Sequence, residues 1–259
     1  MTLLAVQGLC KTFGGVVAAR DVSFEVAPGE LLALIGPNGA GKTTTFNMVG
    51  GQLRPDAGRV VLDGEDVTAL TPREKFRRGV GRTFQVAQTF PSMTVAENVQ
   101  MALMSHAGET RGVTADARRL HRDEAVALLA PLGMAATADR ASSTLAYGDV
   151  KRVELAVALA NEPKLLLMDE PTAGMAPRER AALMELTQRI ARERRIGVLF
   201  TEHDMLAVFA HADRILVLVR GEIVAAGTPE EVRANPRVRE VYLGEAGAAA
   251  AARARRAPA

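Results

Sequence analysis

Near the start of the chain, apolar residues come in short runs that alternate with turn-forming residues. Residues 3–9 and 16–26 predict strands, and a Pro-Gly pair ends the second run. Residues 30–35 are almost continuously apolar, which is typical of a strand buried on both faces. A glycine-rich loop follows, and the pattern then predicts a helix from residue 42 to about residue 50. The chain therefore begins with strands and continues with a strand, loop and helix unit.

Helix-forming residues dominate the sequence from about residue 91 to residue 160. This segment comes after a short predicted strand at residues 60–62, which an Asp-Gly pair ends. Residues 123–132 and 150–160 carry apolar positions at helical spacing, whereas strand signals fade. The change predicts a helical subdomain inserted into an α/β domain.

Buried strands return after the helical segment. Residues 164–168 and 197–201 predict strands, and a helix from about residue 177 to residue 195 lies between them. Residues 215–219 and 222–225 predict a hairpin around an Arg-Gly pair. Strands that alternate with helices favour an α/β fold with a parallel sheet.

Composition narrows the class of protein without indicating a chemistry. Of 259 residues, 48% are hydrophobic, which allows a sizeable core, and the single cysteine, Cys10, cannot form an internal disulfide. A net charge of +2, from 32 basic and 30 acidic residues, gives no argument for nucleic-acid binding. The N-terminus lacks a signal-peptide pattern, and no apolar run approaches the roughly 18 residues of a membrane span. We expect a cytoplasmic protein that reaches a membrane only through a partner.

The end of the chain has a biased composition. Residues 245–259 are mostly alanine, with Arg253, Arg255 and Arg256. This composition predicts a disordered terminus. A short basic helix that touches anionic lipid is the alternative interpretation.

The loop after the first buried strand carries the most specific motif of the chain. Its sequence, GPNGAGKT at residues 36–43, fits the phosphate-binding pattern G-x-x-x-x-G-K-[ST] between a predicted strand and a predicted helix. The glycines let the backbone wrap phosphate oxygens, and the amide N–H groups supply positive potential. Lys42 can reach the β- and γ-phosphates, and the Thr43 hydroxyl can ligate Mg²⁺. The candidate phosphate-binding residues are Gly36, Asn38, Gly39, Gly41, Lys42, Thr43 and Thr44.

Two acidic residues end the apolar strand near residue 168. Asp169 can hold Mg²⁺ through water, and Glu170 can act as a general base toward the attacking water. The sequence has no Asn-Lys-x-Asp motif of the kind expected in a GTPase. The phosphate loop and the acidic pair alone leave a small-molecule kinase open beside an ATPase.

Further motifs resemble those of the ATP-binding cassette (ABC) ATPases, in the order and spacing of that family. They are the glutamine loop RTFQ at 82–85, the signature motif LAYGD at 145–149, the D-loop PTAGM at 171–175 and the switch-histidine motif TEHD at 201–204. The resemblance runs from about Leu4 to Gly244 and implies one ABC ATPase domain over residues 1–244. It implies a phosphate-loop RecA-like core, an antiparallel β subdomain and a helical subdomain at about 91–160.

The same resemblance implies roles for residues outside the phosphate loop. Gln85 would contact Mg²⁺ and the lytic water, in a loop where the family docks its membrane subunit. His203 would hydrogen-bond the γ-phosphate, and Phe13 would stack on adenine, with core packing as the equal alternative for Phe13. The signature motif would contact the γ-phosphate of the opposite subunit's ATP, so that a head-to-tail dimer completes each site. The signature candidates are Ala146, Gly148 and Asp149.

Within the family, the chain is most similar to the ATP-binding subunits of branched-chain amino acid importers. The markers are FGG at 13–15, GRTFQ at 81–85, MTVAEN at 93–98, LAYGD at 145–149, EHDM at 202–205 and VYLGE at 241–245. Related importers carry urea, amides and aromatic acids, so the solute stays open. The resemblance implies ATP and Mg²⁺, two membrane-spanning permease subunits, a second ATPase subunit, and a substrate-binding protein that acts through the permease. It predicts no nucleic-acid partner and a location on the inner face of the cell membrane.

Four positions depart from the common pattern of the family. Ala146, Tyr147 and Asp149 replace the usual serine, glycine and glutamine of the signature, as in the branched-chain variant. Ala176 stands where the D-loop usually carries Asp or Asn, which puts contact between the two sites of a dimer in doubt. Because the catalytic candidates named above are all present, we expect an active enzyme. A soluble ABC ATPase outside transport and a regulatory subunit with a structural nucleotide site are the alternatives.

Overall fold

The structure of the chain is a computed structural model that describes residues 2–85, 88–109 and 119–240. The predicted tail at 245–259 and the motif at 241–245 lie outside the described residues. The strands are β1 (Leu4–Phe13), β2 (Val16–Val26), β3 (Leu31–Ile35), β4 (Ala57–Leu62), β5 (Glu65–Asp66), β6 (Val80–Thr83), β7 (Leu165–Asp169), β8 (Gly197–Thr201), β9 (Arg214–Val219) and β10 (Glu222–Gly227). The α-helices are α1 (Lys42–Gly50), α2 (Pro72–Arg77), α3 (Val95–Ala107), α4 (Arg122–Leu129), α5 (Tyr147–Leu159), α6 (Pro177–Arg194), α7 (Met205–His211) and α8 (Pro229–Ala234).

The strands form two sheets. One is antiparallel, in the order β2-β1-β4-β5, and the other has six strands in the order β10-β9-β3-β8-β7-β6. In the second sheet, β9, β3, β8, β7 and β6 run parallel, and β10 joins β9 as an antiparallel hairpin. The ends of β3, β8, β7 and β6 therefore lie side by side at one edge, where open α/β sheets bind their ligands.

The parallel sheet is covered on both faces because its central strands are apolar throughout. Every residue of β3 is buried; Leu31, Ala33 and Ile35 pack in one hydrophobic cluster, and Leu32 and Leu34 pack in another. The first cluster includes residues of α3, α4, α5 and α6, and the second includes residues of β1, β2 and α1. Dense packing on both sides holds the loop after β3 in a fixed place. No helix among the described residues is long and apolar enough to cross a membrane.

The predicted α/β fold is confirmed, with α1 and the β9–β10 hairpin where the pattern placed them. One helix start was predicted wrongly, and one strand was not predicted. The helix expected to begin near Val150 begins at Tyr147, so that the buried Gly148 is helical despite its low propensity. The glutamine-loop motif at 82–85 begins inside β6, which pairs in parallel with β7, and Gln85 follows that strand. That strand, with sequence VGRT, has one large apolar residue, so pairing with its neighbour and not its own pattern makes it a strand.

Candidate nucleotide site

The phosphate loop joins β3 to α1 and needs glycine at two of its positions. Gly36 and Gly41 have φ angles of 156° and 98°. A Cβ on Gly36 would lie 2.1 Å from the carbonyl oxygen of Leu218, and a Cβ on Gly41 would lie 2.1 Å from that of Ala18. The loop is thus packed closely against β9 and β2, and a side chain fits at neither position.

The side chain of Lys42, the first residue of α1, folds back into the loop. Its Nζ donates to the carbonyl oxygens of Gly36 at 2.6 Å and Pro37 at 3.1 Å. The residue is buried beside the N-terminus of the helix, where the free N–H groups and the helix dipole add positive potential. A nearly buried ammonium at a helix N-terminus suits a polyanion such as a triphosphate.

An open cavity of about 240 Å³ lies over the loop, and we call it the nucleotide cavity. It is lined by Ala18, Asn38, Gly39, Ala40, Gly41, Lys42, Thr43, Thr44, Glu170 and His203. The predicted phosphate-binding residues thus share one cavity with two of the predicted catalytic residues. Gly36 is the exception, because it lies at the base of the loop.

Glu170 lies at the centre of a hydrogen-bonded group that joins the ends of three strands. Its Oε1 is 2.7 Å from Nε2 of His203, which follows β8, and its Oε2 accepts from Nε2 of Gln85, which follows β6, at 2.7 Å. Because an ionised carboxylate can only accept, the contact with His203 requires a proton on Nε2 of the ring. The structure brings the three predicted catalytic residues together, as the strand order β8-β7-β6 requires.

The backbone of Glu170 is held in an unusual conformation. Its φ angle is 46°, in the left-handed region that residues other than glycine rarely adopt. Its N–H donates to the carbonyl oxygen and to the hydroxyl of Thr201, both at 3.1 Å. Thr201 is buried at the end of β8, so a packed strand fixes the backbone that presents the Glu170 carboxylate to the cavity.

Asp169 ends β7, and its two carboxylate oxygens have different neighbours. Oδ1 accepts from the Thr201 hydroxyl at 2.8 Å, and Oδ2 lies 3.8 Å from Nη2 of Arg82. The predicted Mg²⁺ donors are the Thr43 hydroxyl, the Gln85 amide oxygen and, through water, the Asp169 carboxylate. Such oxygen donors fit Mg²⁺, which keeps several waters and takes phosphate oxygens. Within the described ranges, no cluster of three or more His, Cys, Asp or Glu residues could hold a metal by itself.

A second cavity, of about 330 Å³, lies beside the glutamine loop, and we call it the side groove. It is lined by Gly50, Gln52, Pro72, Phe76, Val80, Arg82, Phe84, Ala102, Ser105, Val157, Ala158 and Leu167. The Arg82 guanidinium carbon lies 4.9 Å from the ring centre of Phe46 and 5.2 Å from that of Phe84. Burial lowers the pKa of Arg82 below its ordinary value, and the nearby Asp169 opposes this shift. In the part of the chain that the structure describes, Nε and Nη1 of Arg82 have no hydrogen-bond partner.

Four predicted binding residues lie elsewhere. Phe13 ends β1 with 48% of its surface exposed, and Nζ of Lys11 is 5.7 Å from its ring centre. Ala146 precedes α5, and Gly148 and Asp149 lie in the first turn of that helix. None of the four is among the described residues that line the nucleotide cavity. The adenine contact of Phe13 and the cross-subunit role of the signature motif stay predictions.

Two residues of the site were given no role from the sequence. Ala18 of β2 lines the nucleotide cavity but has no polar side chain that could have indicated a role. Thr201 bonds both Asp169 and Glu170, and a threonine at the end of a strand that pairs with the acidic strand was the available signal. Both contacts depend on which strands become neighbours.

A phosphate loop, an acidic strand end, and a glutamine and a histidine from adjacent strands define an ATP-hydrolysing domain of the ABC class. Residues 19–173 match the ABC transporter family, and residues 222–248 match the branched-chain amino acid ATP-binding cassette transporter family. The chain belongs to the ABC transporter family and is one of its ATP-binding, ATP-hydrolysing subunits.

Individual relatives agree with this assignment. The chain is 41% identical to the high-affinity branched-chain amino acid transport ATP-binding protein LivG of Escherichia coli (strain K12), over 94% of this chain and 98% of LivG. It is 40% identical to the lipopolysaccharide export system ATP-binding protein LptB of Acidithiobacillus ferridurans, over 94% of this chain and 97% of LptB.

Solved structures with the same fold include the ADP conformation of MJ1267, an ATP-binding cassette of an ABC transporter. The TM-score is 0.84 with 30% identity, over 94% of this chain and 99% of that chain. A dimeric post-hydrolysis structure of the cassette MJ0796, bound to ADP and Pi, has a TM-score of 0.73 and 26% identity, over 88% of this chain and 99% of that chain.

Proposed function

We propose that this subunit powers the import of branched-chain amino acids from the cytoplasmic face of the cell membrane. The observation that carries the proposal is the group of Glu170, His203 and Gln85 at the nucleotide cavity, in a chain that is 41% identical to LivG. The match of residues 222–248 to the branched-chain family supports the choice of solute. Leucine, isoleucine and valine are the expected solutes.

In this proposal the triphosphate of ATP lies on the phosphate loop, and Lys42 turns from the loop carbonyls to the β- and γ-phosphates. Glu170 accepts a proton from the attacking water, since its carboxylate lines the cavity. In the structure, His203 and Gln85 hold that carboxylate. In the proposal, His203 binds the γ-phosphate and Gln85 orients the attacking water. Thr43 and Gln85 would hold Mg²⁺, with Asp169 acting through water, and the ion would supply positive charge that offsets the charge of the phosphates.

The second half of the site comes from another subunit. The signature residues Ala146, Gly148 and Asp149 lie away from this chain's own nucleotide cavity, at the N-terminus of α5. They would contact the γ-phosphate of ATP on a second ATPase subunit, which is a different, similar chain in the proposed transporter. The dimeric structure of the related cassette MJ0796 with ADP and Pi supports a two-subunit arrangement.

The side groove is the proposed docking site for a cytoplasmic helix of a permease subunit. It adjoins the glutamine loop, and Phe84 stands 40% exposed at its edge. Two N–H groups of Arg82 have no acceptor among the described residues. A buried donor without a partner is costly, so these groups need an acceptor from a partner protein. A helix that brings an apolar face and one carbonyl or carboxylate oxygen would satisfy both features. The substrate-binding protein would act only through the permease.

Export is the second candidate, because the chain is almost as similar to LptB as to LivG. Both functions would use the same nucleotide chemistry. They differ in the permease that the side groove accepts and in the direction of solute movement.

Copurification followed by a solute screen tests the proposal. The tagged chain is isolated with its membrane partners, reconstituted in liposomes with candidate binding proteins, and assayed for ATP hydrolysis with each solute. Leucine, isoleucine or valine should stimulate hydrolysis, whereas urea, amides and aromatic acids should not, and Glu170→Gln should abolish the stimulation. Stimulation by lipopolysaccharide would favour export. ATP turnover by a chain that copurifies with no permease would point to a function outside transport.

A further inference from the structure

The glutamine loop is bound to α5 by a buried ion pair. Nζ of Lys151 donates to the carbonyl oxygens of Phe84 at 2.6 Å and Gln85 at 3.0 Å, and to Oε2 of Glu154 at 3.1 Å. Oε1 of Glu154 accepts from the backbone N–H of Phe84 at 2.8 Å. The side chains of Lys151 and Glu154 are only 2% and 4% exposed. We call these two residues the α5 clamp.

Every N–H donor of Lys151 and both carboxylate oxygens of Glu154 in the α5 clamp have a hydrogen-bond partner. An ammonium has three N–H donors, and Lys151 uses all three on the loop and on Glu154. Glu154 in turn bonds the loop with one oxygen and Lys151 with the other. A fully satisfied buried network is rigid, and breaking it leaves buried charge without a partner. The backbone of Phe84 and Gln85 must therefore move together with α5.

The two ends of this unit serve different nucleotide sites under the proposed function, on which the inference rests. The Gln85 side chain bonds Glu170 in this chain's own site at 2.7 Å. Gly148 lies one helical turn before Lys151 on α5 and would contact ATP on the second subunit. The α5 clamp links the two ends through its hydrogen bonds to the glutamine loop and one turn of α5.

We propose that Lys151 and Glu154 are positioning residues that pass the state of this chain's nucleotide from Gln85 to the signature motif, and so to the other ATP of the dimer. A shift of Gln85 when ATP binds or is hydrolysed would displace the first turn of α5. A purely structural role would instead change the stability of the chain without linking the two sites.

The test uses the complete transporter with its permease, in which two different affinity tags isolate dimers of defined composition. This chain carries Glu170→Gln, so that turnover comes only from the second ATPase subunit, whose site this chain's signature motif closes. Turnover is compared with and without Lys42→Ala, which empties this chain's site. The same comparison is made with the clamp intact and with Lys151→Met plus Glu154→Leu, which removes both buried charges together.

With the clamp intact, we expect Lys42→Ala to lower turnover at the second site by at least about fivefold, an ordinary size for coupling between sites. Without the clamp, Lys42→Ala should change turnover by less than about twofold. Lys151→Arg, which keeps the charge and the donors, should restore most of the coupling. An effect of Lys42→Ala that is the same with and without the clamp, including no effect in either, overturns the proposal.

Two controls separate coupling from damage. Arg122→Met plus Asp139→Leu removes an exposed ion pair between α4 and residue 139. Neither residue belongs to the glutamine loop or to α5, so this variant should leave the coupling intact. If the double clamp variant does not fold, Glu154→Gln replaces it, because its amide oxygen can still accept from Phe84 while the ion pair is lost; the coupling should then fall. A parent transporter without ATP turnover would overturn the proposed function itself, an outcome distinct from coupling that survives without the clamp.

Discussion

At the scale of single residues, Lys75 shows how a charge can be buried with no carboxylate of the described residues in contact. It is fully buried, and its Nζ donates to the carbonyl oxygens of Met48 at 3.2 Å and Val49 at 2.8 Å. These carbonyls belong to the C-terminal turn of α1, where the helix dipole favours a cation. Burial nevertheless lowers the pKa of Lys75 to about 8.

The first prediction concerns stability at alkaline pH. The pKa of Lys75 is about 8 in the folded chain and 10.5 for an ordinary lysine, so the unfolded chain binds more protons between these values and stability rises with pH. The free energy of unfolding of the parent, minus that of Lys75→Met, should increase by about 3 kcal/mol from pH 8 to 10.5. Denaturant titrations of both proteins at several pH values measure this difference. A difference that stays flat would contradict the depressed pKa.

The second prediction concerns Glu170. Glu170→Gln keeps the size of the side chain but removes the base, so hydrolysis should fall about 10² to 10⁴-fold while ATP binding persists. Lys42→Ala is the matched contrast, because it should weaken ATP binding itself. Equilibrium binding and steady-state turnover are measured on the same preparations. Parental turnover by Glu170→Gln would show that another group takes the proton.

At the scale of elements, α6 begins without a polar cap. Ala176 has the extended backbone of an N-cap residue, φ −66° and ψ 151°, but its side chain cannot accept a hydrogen bond. Oε2 of Glu179 already accepts from the Ala176 N–H at 3.4 Å, which is one half of a capping box. By contrast, Thr71, Thr94 and Thr228 complete capping boxes at α2, α3 and α8.

The third prediction follows from that missing cap. Ala176→Ser should complete the capping box and raise the free energy of unfolding by about 1 kcal/mol. Ala181→Ser, inside α6, is the control and should lower it by a few tenths of a kcal/mol. Thermal unfolding of both variants measures the effect. Equal effects of the two substitutions would show that the α6 N-terminus gains nothing from a hydroxyl.

Elements differed in how far their own pattern predicted them. The buried strands β3, β7 and β8 are continuous apolar runs, so periodicity and turn residues were sufficient. Strand β6 and the first turn of α5 depend on neighbours, because Gly81 and Gly148 have weak preferences that packing overrides. For the same reason, the motifs predicted Gln85, Glu170 and His203, whereas Thr201 and the α5 clamp became apparent only once the strands and helices were placed together.

At the scale of the whole molecule, one short segment, residues 82–85, lines the side groove and contacts the two acidic residues of the nucleotide site. Arg82 reaches toward Asp169 from the side groove, at 3.8 Å, and Gln85 bonds Glu170. Phe84, between them in sequence, is exposed at the groove. A permease that docks there would touch the segment that supports both acidic residues, which is the geometry that coupling transport to hydrolysis requires.

The fourth prediction tests docking. Phe84→Glu places a charge in the apolar groove, where burial against a helix is costly, so the permease should no longer copurify while ATP binding persists. Leu206→Glu is the control, because Leu206 is an 82% exposed apolar residue that is not part of the groove lining. Retention of the permease by Phe84→Glu would place docking elsewhere.

The most direct test of the central claim is ATP-driven uptake of radiolabelled leucine by liposomes that contain the chain with its permease subunits and binding protein. With ATP on the side of this chain, the parent should accumulate leucine against its gradient, and Glu170→Gln should not. Uptake that is equal in the parent and in Glu170→Gln, or ATP hydrolysis by the parent without leucine movement, would contradict the account.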